Sequence, residues 1–382
     1  MAKTNVNEII HIPMNNEISQ QTAKFLVKNC GTLIIHNFPI GSEFGIDLSI
    51  HYTGEKFMGM KMIPPGLHFI YYSLVDKEQH STAPRSGFFH NFTQGEILVC
   101  RWDPAAEDIS TNLEDSPLIE RLKSSFVNGQ LDSQLGAYQF DQYQTWVSLT
   151  DYISYELLAK INPICGRIYS ASSLVYKPEK DGTIIPRVDK DGLPEMIISP
   201  EATIRFQCET PKRFLYPLNA TPDEITKHSM DSTFTLESIL QLPAFANNEG
   251  NLLGEFQFAF ISFLLGHTFE AFEYWRDILR IICCSREALS NKHELFLSFI
   301  RVVYFQLKQT NEAIFADIVE NENQVFLYIR TFILNLRDSV ELNINRELVK
   351  RGEKFAQSLQ KDMEWNFDYE PDNELPVIVE TE

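Results

Sequence analysis

The tripeptide Pro64-Pro65-Gly66 sits in the middle of an apolar stretch, FMGMKMIPPGLHFIYYS, residues 57–73. Proline fixes φ and removes a backbone donor, so neither a helix nor a long strand passes through it. Pro64 and Pro65 preset the turn, and Gly66 is free to take positive φ. After the turn, Leu67, Phe69 and Tyr71 alternate with His68, Ile70 and Tyr72. The period is two and both sets are largely apolar, which predicts a strand with both faces buried. The prolines then fix the angle between two strands.

The surrounding segments are also β in character. GTLIIHNF (31–38) is an apolar run closed by Pro39, and GSEFGID (41–47) enters a strand in which Gly45 marks a bulge or a close approach. SGFFHNF (86–92) and GEILVCRW (95–102) read as a hairpin around Thr93-Gln94-Gly95. An antiparallel β-sandwich or a strongly bent sheet is the expected architecture. From about 110 the period changes. Leu113, Leu118, Leu122 and Phe126 predict a helix, and YQTWVSLTDYISYELLAKI (143–161) starts another, with a cap at Thr150-Asp151. Residues 176–195, rich in Pro, Gly, Lys and Asp, read as a loop or linker, and ATIRF (202–206) as a returning strand.

Beyond this the chain reads as helices. Thr221 is the expected N-cap of a helix with Pro222 in its first position and Asp223-Glu224 at the positive end of its dipole. Phe256, Phe260, Phe263 and Leu264 belong to a helix apolar nearly all round, hence central. Four further stripes follow: Phe272/Trp275/Leu279/Ile282, Phe296/Phe299/Val303/Leu307, Ile329/Phe332/Leu336/Val340 and Leu348/Phe355/Leu359. After Lys361 there are eight acids and no base, and within them sit Trp365, Phe367 and LPVIVE (375–380). Acidic tails are solvated as a rule. The strand formers Val377, Ile378 and Val379 make this one a segment that orders on binding.

The net charge of −19 would repel a nucleic acid or anionic membrane overall, and although a local basic patch stays open, no run of Lys/Arg interleaved with aromatics appears; the charge favours a basic protein partner. Cysteines at 30, 100, 165, 208, 283 and 284 contain no C-x-x-C pair, and Cys283-Cys284 read as buried free thiols of a reducing compartment. The N-terminus MAKTNVNEIIHIP has no apolar core of a secretory signal, and the most apolar window, 256–265, is too short to span a bilayer. The chain is expected to be soluble and intracellular. No phosphate-binding glycine loop, H-E-x-x-H or G-x-S-x-G is present. Asp47 and Asp103, at predicted strand ends, are candidates to act with His68 or His90 as acid and base. The structural reading of Asp47 is a turn carboxylate accepting backbone N–H groups. That of His228, on the capped helix, is a packed or surface histidine.

Several stretches carry a family resemblance: GSEFGID, GMKMIPPGLHFIYYS, PRSGFF, TWVSLTDYI, EATIRF, ATPDEITKHSMD and LLGEFQFAFISFLLGHTFEAFEYWRDIL. They resemble, in order over residues 20–382, an assembly chaperone of the U5 small nuclear ribonucleoprotein, the A1-alpha2 repressor pre-mRNA splicing factor family. The resemblance implies an α+β chain: an N-terminal β-rich, sandwich-like domain, a C-terminal all-α domain similar to VHS modules, and an acidic tail. The corresponding divisions are 1–165, a linker at 166–201, 202–362 and 363–382.

It also implies a non-enzymatic protein without cofactor or metal. Such a protein binds the large U5 scaffold, pre-mRNA-processing-splicing factor eight, at its RNase H-like and Jab/MPN-like domains, and holds it in a precursor particle before exchange for the RNA helicase. The expected partner-binding residues are Trp365, Phe367, Leu375, Val377, Ile378 and Val379, in a tail that adds a strand to the scaffold. The protein is expected to be a monomer within a hetero-complex, in cytoplasm and nucleus. The alternative is a VHS-like trafficking adaptor, against which the lack of a basic membrane patch argues.

Overall fold

The structure is a computed structural model that describes residues 19–76, 81–111, 116–177, 188, 190, 192–310, 319–338 and 342–368. The described chain divides into two compact units. The first holds residues up to 151, 155–205 and 261–271; the second holds 152–154, 206–260 and those from 272 onward.

The first unit opens with α1 (Gln20–Asn29), whose N-cap Ser19 accepts from the Thr22 N–H at 3.1 Å. There follow β1 (Gly31–His36), β2 (Glu43–Ile46), β3 (Ser49–Tyr52), β4 (Gly59–Ile63), β5 (Gly66–Ser73), β6 (Val75–Asp76), β7 (Ser81–Thr82), β8 (Ser86–Phe92), β9 (Ile97–Asp103) and β10 (Asp108–Ser110). Next come α2 (Ser116–Val127), β11 (Leu135–Ala137), α3 (Tyr143–Thr150), α4 (Tyr155–Ile161), β12 (Ile168–Tyr169), β13 (Leu174–Tyr176) and β14 (Met196–Ile198). Two five-stranded sheets form a sandwich, one in the order β10-β9-β1-β4-β11 and the other β12-β8-β5-β2-β3.

The Pro64-Pro65 corner passes the chain from β4 in one sheet to β5 in the other, so the apolar load on either side of it faces one core. Alternate residues line that core: Leu33 and Ile35, Phe44 and Ile46, Met60 and Met62, Ile70 and Tyr72, Cys100 and Trp102. Phe69 and Tyr71, on the opposite face of β5, are also fully buried. At Gly45 the close approach is real: a Cβ there would lie 2.1 Å from the Tyr71 ring.

Several expectations are revised here. Residues 86–92 and 95–102 are not a hairpin: β8 pairs with β5, while β9 runs parallel to β1 in the other sheet. The connection is a second corner, held by the Glu96 carboxylate, which accepts from the Thr93 N–H and hydroxyl at 2.8 and 3.0 Å and faces His90 Nε2 at 2.8 Å. The sandwich is mixed rather than antiparallel, because β1/β9 and β4/β11 are parallel pairs. ATIRF is not a strand. Ile204 is buried, but the Arg205 N–H goes to the Ile161 carbonyl at the end of α4, which leaves it no ladder. The 143–161 stretch breaks at Thr150-Asp151, where Asp151 closes α3 and the Thr150 hydroxyl donates back to the Trp146 carbonyl. Within residues 166–201, β12 extends the second sheet and β13 pairs with β14, so the ends of the segment read as a linker are strands of the first unit.

The second unit is helical: α5 (Pro222–Met230), α6 (Thr233–Leu240), α7 (Gly250–Leu264), α8 (Phe269–Cys283), α9 (His293–Gln309), α10 (Val319–Arg337) and α11 (Arg346–Met363), with 261–264 and 269–271 assigned to the first unit. Thr221 caps α5 in a full capping box with Glu224. Residues 252–260 of α7 are buried without interruption, as an all-round apolar helix requires, whereas Phe263 and Leu264 are half-buried. Phe256 stacks on Trp275 at 5.7 Å, Phe299 meets Phe332 edge-on at 5.6 Å, and Trp275 Nε1 donates to Gln306. The other stripes of this unit are buried too, with Val340 outside the described residues; in the first unit Leu122 is buried, Leu118 and Phe126 are half-buried, and Leu113 lies outside the described residues. Among the described residues no helix is long and apolar enough to cross a membrane.

Candidate interaction surface

The fold pairs one set of the acid–base candidates, Asp47 with His68, and gives Asp103 and His90 other partners. Asp47 ends β2 in a left-handed conformation, φ 52°, which aspartate tolerates. Its Oδ2 lies 2.6 Å from His68 Nδ1 and accepts from the Tyr138 hydroxyl at 2.6 Å; its Oδ1 accepts from the Phe69 N–H at 3.0 Å. His68 Nε2 faces the Pro64 carbonyl at 2.8 Å. His68 is wholly inaccessible and Asp47 is 2% exposed, so no substrate atom reaches either. The pair ties the Pro64 corner to the β2–β3 turn and to the Tyr138 segment. Asp103 accepts from the Ala105 N–H at 2.9 Å, as a turn carboxylate does, and His90 is engaged with Glu96. His228 packs against Phe234, with ring centroids 5.5 Å apart.

The described cysteines are all free thiols, with Cys283 buried, Cys284 half-buried and Cys165 exposed. Burial pushes the thiols of Cys30, Cys100 and Cys208 up to about 12, far from the thiolate a nucleophile needs. Among the described residues no cluster of three or more His, Cys, Asp or Glu is placed to hold a metal ion.

The beginning of the acidic tail has a defined place. α11 ends at Glu364, whose left-handed φ of 58° turns the chain back. Trp365 and Phe367 then close on Phe326 of α10, with centroids 5.5 and 5.9 Å away, and Phe367 is 4% exposed. Arg330 Nε donates to the Phe367 carbonyl at 3.3 Å, and Arg337 Nη1 to Asp368 Oδ1 at 2.5 Å. Of the six residues expected to bind a partner, Trp365 and Phe367 are therefore engaged within the second unit rather than in a free tail. Leu375, Val377, Ile378 and Val379 lie outside the described residues. Nothing in the local sequence marks Arg330 and Arg337 as partners of the tail beyond their seven-residue spacing, which puts both on one face of α10.

Two family models match the chain: the AAR2 N-terminal domain over residues 29–163 and the AAR2 C-terminal repeat region over residues 208–368. The chain is 36% identical to Protein AAR2 homolog of Mus musculus over 380 residues, covering 95% of this chain and 97% of that protein. It is 35% identical to the homolog of Homo sapiens over 380 residues, with the same coverage. With the homolog of Caenorhabditis elegans it shares 36% over 375 residues, covering 93% of this chain and 99% of the relative.

Proposed function

The chain belongs to the AAR2 family, and from that premise we propose that it is a non-enzymatic assembly factor of the U5 small nuclear ribonucleoprotein, acting in pre-mRNA splicing. It binds the large scaffold, pre-mRNA-processing-splicing factor eight, and holds it in a precursor particle until the RNA helicase takes its place. The observation that carries this reading is the extent of the family match, which runs through both units and up to Asp368. The inaccessible Asp47–His68 pair and the high thiol pKa values agree with a role that needs no turnover chemistry.

In this reading the folded units dock on the RNase H-like domain. The segment containing Leu375, Val377, Ile378 and Val379 adds a strand to the Jab/MPN-like domain, with main-chain hydrogen bonds giving affinity and alternate side chains giving selectivity. The partner surface is basic, to match a net charge of −19, and neither nucleic acid nor membrane takes part. The protein is a monomer in the hetero-complex and works in cytoplasm and nucleus. Calorimetry of the full chain against each isolated scaffold domain, and against a short RNA, tests this. Binding to both domains and none to RNA is expected; failure to bind either domain overturns it.

A further inference from the structure

In the second unit, a groove of about 380 Å³ runs between α9 and α11. Its floor is aromatic, made by Tyr304, Phe305 and Phe355. Its charged lining is of one sign, Arg301, Arg351 and Lys354, and no carboxylate lines it. Arg301 lies 5.4 Å over the ring of Tyr152. Arg351 and Lys354 are exposed, and among the described residues neither side-chain cation has a hydrogen-bond or ion-pair partner. A basic, aromatic-floored groove in a chain of net charge −19 calls for an acidic peptide with an apolar centre.

We propose that the occupant is the chain's own C-terminal segment, residues 369–382, seated there in the free protein. That segment, YEPDNELPVIVETE, has five carboxylate side chains, no base and the apolar run LPVIV. Its acids lie on both sides of the run, so Leu375 to Val379 can lie on the aromatic floor while the flanking carboxylates meet Arg351 and Lys354.

Tethering decides between this segment and a separate acidic protein. A free acidic partner must approach against the field of the whole molecule, whereas a tethered segment has an effective concentration on the order of millimolar and no encounter to make. The point of departure is close. Asn366, Phe367 and Asp368 border a cleft lined by Gly352 and Glu353 of α11, in the same turn of helix as Arg351 and Lys354. Crossing one helix, roughly 10–12 Å with its side chains, takes about four extended residues at ~3.3–3.6 Å each. Ten residues then remain to lie along the groove. Asp368 is already seated on Arg337, an acid of the tail on a base of the bundle. The inference concerns the free chain and does not depend on the scaffold.

Benzoylphenylalanine placed at position 378 of the full chain tests it by photo-crosslinking and peptide mapping. Intramolecular cross-links to peptides containing Tyr304, Phe305 or Phe355 are expected. Their yield should fall severalfold in the double variant Arg351→Glu/Lys354→Glu, and as salt is raised. Arg351→Gln/Lys354→Gln, checked for helicity, gives an intermediate loss and guards against misfolding by charge reversal. Cross-links elsewhere in the chain, cross-links to a second copy, or an unchanged yield in the charge variants would overturn the proposal. A groove labelled only by an acidic peptide added in trans would assign it to a partner and would also overturn it.

Discussion

A carboxylate shut off from water must find its partners inside the protein, and Asp47 finds the Phe69 N–H, the Tyr138 hydroxyl and the His68 ring. Asp47→Asn puts an amide where acceptors are required, and urea unfolding should show a loss of about 2–3 kcal/mol. Asp103→Asn, in a solvated turn, should cost under about 1 kcal/mol by the same measurement. Glu255, on α7, is equally inaccessible. Burial pushes its carboxyl from 4.5 up to about 7, against hydrogen bonds from the Tyr274 hydroxyl and the Gln207 N–H that pull it down. The folded state therefore holds this proton more tightly than the unfolded chain does. Stability from this group is complete below about pH 4.5, falls as pH rises towards 7, and is flat above. Glu255→Gln should remove that slope and be the more stable protein at pH 8, by up to about 3 kcal/mol. Urea midpoints of both proteins between pH 5 and 8 check the sign.

At the scale of elements, the two corners do the organising, and glycines permit one of them. Gly59 and Gly66, at the two starts of the β4–corner–β5 passage, have φ of 131° and 132°. A Cβ at Gly66 would meet nothing within 4 Å, so Gly66→Ala should cost only backbone strain, about 1–3 kcal/mol. A Cβ at Gly59 would lie 2.0 Å from the Leu33 carbonyl oxygen of the paired strand β1, so Gly59→Ala should be the more damaging of the two in the same unfolding experiment. In the second unit, the turn after the left-handed Glu364 that ends α11 is anchored by an aromatic ring. Phe367→Ala should cost about 3 kcal/mol, and Trp365→Ala, at a half-buried ring, clearly less. Equal losses would mean that Phe367 does not anchor the segment.

For the whole molecule, a net charge of −19 favours a basic partner, and under the proposed function the sequence beyond Asp368 is where that preference would become specific. Proline at 378 removes one N–H and forbids a paired central strand position. Ile378→Pro should therefore weaken binding to the Jab/MPN-like domain about tenfold or more, the effect of losing about 1–3 kcal/mol, and change binding to the RNase H-like domain less. Ile378→Thr keeps the N–H and should be milder. Equal affinities for the Jab/MPN-like domain across wild type and both variants, by calorimetry, would sink the strand-addition mechanism.

The sequence by itself determined whatever is written in neighbouring residues. The Pro64-Pro65-Gly66 corner, the two-sided burial of β5, the Thr221 capping box and the buried helical stripes all follow from φ restriction, a period of two or a period of 3.6. Tertiary structure decided which strands pair. Thr93–Glu96 looked like a hairpin turn because a local signal marks where a strand ends, not which sheet it joins; β1, sixty residues away, claims β9 through a parallel ladder. The same limit hid the candidate site. Trp365 and Phe367 stand in a run of acids that reads as solvated tail, and Phe326, their partner, is about forty residues upstream. Asp47 and His68 are 21 residues apart and read as separate polar residues. Only the fold, by closing β2 on β5, removes the water between them and makes them a buried pair.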